Sequence, residues 1–171
     1  GDPYNKILFD KSIQNLKARN IFKSVNYKTE NVNSSNKKII DIKVEEKPTG
    51  EIFAGAGTGT TGTSLTAGIK ENNYLGLGIT LDTNFTITDY TLKCKFSVLN
   101  PNYKNSDKSI KTTLENTTND FMSSSGYKTN IFGFTLGTEF EQMTDFYVNL
   151  ETLSFYEDLE TSSKANNIIK K

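Results

Sequence analysis

The chain has 171 residues, enough for one medium domain or two small ones. Lys plus Arg and Asp plus Glu each number 20, so the formal net charge is zero and the electrostatic case for a nucleic-acid binder is absent. There is no His and no Trp, and a single Cys; this removes the usual general base, the commonest metal ligand, an internal disulfide and any Cys-based zinc site. No apolar run approaches the length of a membrane helix. Membrane strands stay open, because they alternate polar and apolar residues and their mean hydropathy looks like that of a soluble protein. The chain opens Gly1-Asp2-Pro3, with neither Met nor a signal-peptide pattern, and reads as a mature piece or a fragment.

Asp2-Pro3 reads as a helix start, an N-cap Asp followed by Pro at the first helical position. Phe9, Ile13 and Leu16 follow at helical spacing, and the helix is expected to stop near Arg19-Asn20. An extended segment runs from Lys23 to Val32, with Val25 and Tyr27 on one side. Asn33-Ser34-Ser35-Asn36 reads as a turn. Ile40, Ile42 and Val44 then alternate with Asp41, Lys43 and Glu45 as a half-buried strand. Residues 1–47 are thus a small α+β unit, short for burying a core of its own.

Lys47-Pro48-Thr49-Gly50 breaks the pattern and marks a boundary, with residues 48–50 as linker. Beyond it, residues 51–160 read as seven strands in succession. The first is the glycine-rich stretch that begins Glu51-Ile52-Phe53-Ala54-Gly55-Ala56-Gly57-Thr58. Leu65, Ala67 and Ile69 mark the second; Ile79, Leu81, Phe85 and Ile87 the third; Leu92, Cys94, Phe96 and Val98 the fourth. The fifth, Ser109 to Asn116, is weaker. Phe132, Phe134, Leu136 and Phe140 mark the sixth. In the seventh, Phe146, Val148 and Leu150 lie on one face but Leu153 and Phe155 on the other, which predicts a bulge or register change. Residues 161–171 read as a loop or frayed end.

Alternation alone does not separate a soluble sandwich, whose apolar face turns inward, from a membrane barrel, whose apolar face turns to lipid. Two features favour the barrel. The connections suggest a plain meander with tight turns such as Thr88-Asp89, and several segments reach about 9–11 residues, the length of a membrane strand.

The letters Gly57-x-Gly59-x-x-Gly62, with Asp82 further on, match a dinucleotide fingerprint. That fingerprint needs a helix after the glycines to hold the pyrophosphate. Here Thr63 to Ile69 is β-periodic, so a glycine-rich strand and hairpin is the better reading. Neighbouring acids such as Glu45-Glu46, or Glu139 with Glu141, read as solvated. Without His, a Ser nucleophile lacks its usual base. No catalytic set, cofactor site or metal site is expected, and Cys94 reads as a small residue on an apolar face.

In order and spacing, a set of segments over residues 5 to about 103 resembles the BamA-type outer-membrane assembly proteins. They are Phe22-Lys-Ser-Val25, Ile42-Lys-Val-Glu-Glu-Lys47 with Thr49-Gly50, Gly55-Ala-Gly57-Thr-Gly59, Glu71-Asn-Asn-Tyr-Leu-Gly-Leu-Gly78, Asp89-Tyr90, and Asn100-Pro101-Asn-Tyr103. Beyond that point only the strand pattern agrees. The resemblance implies a mostly β fold: an antiparallel meander forming part of a transmembrane β-barrel, preceded by a partial α+β POTRA domain. It implies a protein that folds and inserts other barrel proteins, without a cofactor and without enzymatic chemistry. Its implied partners are unfolded outer-membrane proteins, accessory assembly lipoproteins and outer-membrane lipid, with no nucleic acid. The implied location is the outer membrane of a Gram-negative bacterium, with residues 1–47 in the periplasm.

In such proteins the first barrel strand pairs weakly with the last, and a client strand adds to its edge. Carried onto this chain, that edge is Glu51, Ile52, Phe53, Ala54, Gly55, Ala56, Gly57 and Thr58, and the hinge is Lys47, Pro48, Thr49 and Gly50. The glycines either keep the edge thinly clad or serve only barrel curvature. Against the family pattern, the POTRA unit lacks its first strand and first helix, the seven strands are too few to close a barrel, and the family's Val-Arg-Gly-Phe-like loop is absent. The alternatives are a related POTRA-barrel transporter for secretion or autotransporter assembly, a passive porin-like barrel, and a soluble β-sandwich binding module.

Overall fold

The computed structural model of the protein describes residues 3–32, 37–59 and 62–166. The chain divides into two compact units, Gly1–Thr49 and Gly50–Lys171.

In the first unit, helix α1 spans Lys6–Ala18. Its N-cap is Asn5, whose Oδ1 accepts from the backbone N–H groups of Ile7 at 2.9 Å and Leu8 at 3.3 Å. The helix start expected at Asp2-Pro3 is therefore wrong: Pro3 precedes the helix, and Asp2 lies outside the described residues. Asn and Asp cap equally well, and the later one leaves Tyr4 free to pack near Phe9, with ring centroids 6.1 Å apart. The helix ends at Ala18, as its sequence implies, and Asn20 reverses the chain with φ of 56°.

Strands β1 (Phe22–Asn31) and β2 (Lys38–Glu46) pair antiparallel and set Val25 opposite Val44, Tyr27 opposite Ile42 and Thr29 opposite Ile40. The turn expected at 33–36 lies outside the described residues. Phe9 of α1 meets Tyr27 edge-on at 5.0 Å. Among the described residues of this unit, the buried hydrophobic side chains are Ile13 and Ile21, while Ile40, Ile42 and Val44 stay exposed.

The second unit is one sheet of seven antiparallel strands: β3 (Gly50–Gly59), β4 (Gly62–Tyr74), β5 (Ile79–Thr88), β6 (Thr91–Asn100), β7 (Lys108–Phe121), β8 (Tyr127–Met143) and β9 (Phe146–Thr161). Their spatial order is their chain order, a plain meander. The turns are built from residues suited to them. Between β4 and β5, Leu75, Gly76 and Gly78 all have positive φ, and Asn73 Oδ1 accepts from the Gly78 N–H at 2.8 Å. Between β5 and β6, Thr88 Oγ1 accepts from the Thr91 N–H at 2.9 Å. The Gly57-x-Gly59-x-x-Gly62 letters thus fall on two paired strands, and the element they lead into is strand β4 rather than a helix.

The register sorts the side chains strictly by face. Ala54, Ala67, Phe85 and Cys94 lie in one cross-strand row, and Leu114 with Phe134 in another on the same face. None of the large hydrophobic side chains on this face is buried; Ile52, Leu65, Phe85, Phe96, Phe134 and Leu136 are all exposed. A sandwich would cover such a face with a second sheet. Among the described residues this unit holds a single sheet, and no second sheet covers that face. The opposite face is polar and is knit together by side-chain hydrogen bonds, described below.

Four expectations change. Gly50 is not linker but the first residue of β3, opposite Glu71. The fifth strand runs well past Asn116, through Phe121; its polar residues Asn116, Thr118 and Asp120 occupy the continuation of the apolar face and hid its length. The bulge expected inside the seventh strand is absent. One register holds from Tyr127 opposite Thr161 to Glu141 opposite Tyr147, with the single shift between Glu141 and Met143. Leu153 and Phe155 therefore sit on the polar face, opposite Thr135 and Gly133. Finally, Thr161 belongs to β9 and closes it, and residues 162–166 form a loop on the β7–β8 turn. Ser162 N donates to the Gly126 carbonyl at 2.8 Å, and Ala165 is 5% exposed.

Candidate functional site

The candidate edge, Glu51 to Thr58, lies wholly within β3, and β3 is the end strand of the sheet. It pairs along its full length with β4, from Gly50 opposite Glu71 to Gly59 opposite Gly62. Among the described residues its other side carries no strand. In an antiparallel ladder alternate residues turn their N–H and C=O toward opposite neighbours, so about half of β3's residues point both groups away from β4.

The side chains leave that edge bare. Ile52, Ala54, Ala56 and Thr58 lie on the apolar face, and Ile52 is 84% exposed. Gly55 and Gly59 lie on the polar face, and a Cβ built on either would meet nothing within 4 Å. Ser64 Oγ donates to the Gly57 carbonyl at 3.4 Å. Phe53 is the exception among these small residues. It stands opposite Gly68, and its ring fills the space a Gly68 side chain would need: a Cβ there would lie 2.3 Å from Phe53 Cζ.

The candidate hinge divides between the units. Lys47 belongs to the first, its N–H donating to the Ile21 carbonyl at 3.3 Å and its Nζ to Asn20 Oδ1 at 2.7 Å. Gly50 belongs to β3. Pro48 and Thr49 close the first unit and lead into β3.

Beside the edge, the polar face is a hydrogen-bonded lattice. Thr66 and Thr86 hydroxyls lie 3.2 Å apart, and those of Ser97 and Thr113 3.0 Å apart. Thr91 Oγ1 donates to Asn119 Oδ1 at 2.9 Å, and Asn119 Nδ2 donates on to Thr129 Oγ1 at 3.2 Å. Lys93 and Glu115 form an ion pair at 2.9 Å. Near the β9 side a groove of about 340 Å³ carries Lys95, Lys111, Glu115 and Glu151 around Leu153 and Phe155. Among the described residues, no cluster of three His, Cys, Asp or Glu side chains is placed to hold a metal ion. The lattice orders the wall.

Sequence reasoning missed Gly68 as part of this arrangement. A signal was available, because an isolated glycine inside an alternating run marks a close approach of backbone or ligand.

A search of protein-family models finds no match. Among solved structures, the chain is similar to BamA from Haemophilus ducreyi lacking POTRA domains 1–3, with a TM-score of 0.75 and 22% sequence identity. The match covers 90% of this chain and 30% of that one. The chain has a BamA-like barrel fold. In a BamA-like barrel wall the uncovered apolar face is the outer surface and the hydrogen-bonded polar face is the lumen. β3 then stands as the end strand of that wall, with the candidate edge on its open side.

Proposed function

We propose that the chain is part of an outer-membrane β-barrel assembly factor, which folds and inserts other barrel proteins by strand addition at β3. The observation that carries this reading is the end position of β3, small-residue-rich and unpaired on one side among the described residues, in a sheet of BamA-like barrel fold. In lipid, each unsatisfied backbone polar group costs several kcal/mol, on the order of the loss of a hydrogen bond in hydrocarbon. An exposed ladder edge supplies those bonds to an incoming strand, which gives the client a low-barrier route into the membrane. The partners are unfolded outer-membrane proteins, accessory lipoproteins and outer-membrane lipid. Residues 1–47 take the place of the end of a POTRA domain on the periplasmic side. No covalent chemistry or cofactor enters the process.

The reading places function in backbone groups rather than side chains, and proline tests that directly because it removes a ladder donor. The assay is folding of a client barrel into vesicles by the full-length protein, read as heat-modifiable gel mobility. Proline placed singly at positions from Phe53 to Gly57 is expected to reduce client folding about tenfold or more, whereas Ala54→Ser and Ala56→Ser leave it nearly unchanged. Tolerance of proline at several of these positions overturns the proposal.

A further inference from the structure

We infer that Phe53 is the register lock of β3: its ring, seated in the notch left by Gly68, fixes which backbone groups an added strand meets. The inference rests on the proposed role of the β3 edge and adds a positioning residue to it.

Little else in β3 selects a register. Its pairs with β4 include Ala54–Ala67, Gly55–Thr66, Ala56–Leu65, Gly57–Ser64 and Thr58–Thr63, in which the β3 partner is small every time and would meet β4 equally well after a shift. Glycine-rich strands slip for this reason, and a slip of one residue sends every side chain to the other face. A slip of two keeps the faces and is the alternative to be excluded. It would set Phe53 opposite Thr66 or Lys70 in place of Gly68. Either residue has a Cβ where the ring now lies, and Thr66 is already engaged with Thr86.

The notch itself is built from both sides. A Cβ on Gly68 would come 2.5 Å from the Thr83 carbonyl of β5 as well as into the Phe53 ring. Gly68 is buried, although it sits next to an edge strand, and Phe53 is 38% exposed while its neighbour Ile52 is 84% exposed. A second Phe–Gly pair shows that this contact is not automatic. On the far side of the sheet Phe155 stands opposite Gly133. There the nearest atoms to a Cβ on Gly133 belong to Glu115, at 3.9 Å, and Phe155 is 65% exposed. Of the two aromatic residues facing a glycine, the one on β3 closes the notch. Charge adds to the same choice: Glu51 lies opposite Lys70, and Lys70 opposite Asp82. A slip that moved Phe53 onto Lys70 would move Glu51 onto Asn72.

The test is cysteine cross-linking in the full-length protein in its membrane, in a background free of other thiols, including Cys94→Ser. Ala54→Cys with Ala67→Cys reports the observed register; Ala54→Cys with Leu65→Cys or with Ile69→Cys reports the two slipped ones. With Phe53 in place, the slipped pairs are expected to form at about a tenth of the yield of the first or less. Phe53→Ala is expected to raise the slipped-to-native ratio about fivefold or more, and Phe53→Tyr to leave it unchanged. If Phe53→Ala does not fold, Phe53→Leu is read in the same way, since it keeps bulk but loses the flat ring. A ratio that stays within about twofold of the parent in the alanine or leucine variant overturns the lock. The readout needs no client, so it fails separately from the assembly proposal: proline tolerance along the edge would leave the cross-link ratio as it is.

Discussion

Replacing Leu136 with arginine should cost far more than replacing its neighbour Thr135, because the two side chains leave β8 on opposite faces. The size of the difference follows from where they sit. On the outer face of β8, Phe132, Phe134, Leu136 and Phe140 mark an apolar span closed at one end by Lys128 with its partner Asp120, and at the other by Lys108 beside Phe140. From Phe132 to Phe140 is about 27 Å along a strand at about 3.4 Å per residue. With a tilt of about 40° that is about 20 Å of height, close to the roughly 25 Å apolar band of outer-membrane barrels. Leu136 is at its centre and is 47% exposed, with no protein over it among the described residues. An arginine at mid-depth costs about 2–4 kcal/mol, and one near the band's edge about 0–1 kcal/mol. Thr135 faces the polar side, beside Lys111, Glu115 and Glu151, where an arginine meets water and mixed charge. Leu136→Arg should therefore shift the unfolding equilibrium about 30- to 700-fold more than Thr135→Arg. Phe140→Arg should fall between them. The assay is urea titration of the full-length protein in phospholipid vesicles, read by gel mobility before and after heating. Equal losses at positions 135 and 136, or a larger loss at 135, would refute the assignment of the faces.

Two further predictions concern the wall. Ser97 and Thr113 are 8% and 7% exposed, and each hydroxyl partners the other; Thr113→Val should cost about 1–3 kcal/mol by stranding Ser97, and adding Ser97→Ala should restore part of the loss in a double-mutant cycle. Gly126 has φ of 77°, and a Cβ there would lie 2.6 Å from Ala165 N. Gly126→Ala should detach residues 162–166, costing about 1–2 kcal/mol and speeding amide exchange at Ser162 and Ala165; unchanged exchange would count against the clasp.

The strands were legible because one face of each is apolar and period two survives even where glycine interrupts it, as from Ile52 to Thr58. What the sequence hid is whatever depends on a neighbour. Phe53 on the polar face looks like a break in the pattern until β4 is laid beside it and Gly68 falls opposite. Leu153 and Phe155 look like a slipped register for the same reason, yet the ladder runs through them unshifted. The far end of β7 was lost because its outer residues lie beyond the apolar span and carry no periodic signal. The boundary at Pro48 was legible from composition, but the attachment of Lys47 to Asn20 and Ile21 depends on a fold that composition does not describe.

A meander in which every strand pairs with its chain neighbours has kinetic consequences. The entropy of closing a loop grows only as the logarithm of its length, and successive strands here are separated by at most seven residues, so the wall can assemble one strand at a time from local contacts. One pairing in a closed meander escapes this rule, the seam that joins its first strand to its last. That seam must wait for the whole circumference and gathers its contacts last. On the proposed assembly reading the strand at its near side is β3, all of whose residues are exposed. Slow closure and easy reopening would then follow from the order of the strands alone, before any particular residue is selected for either.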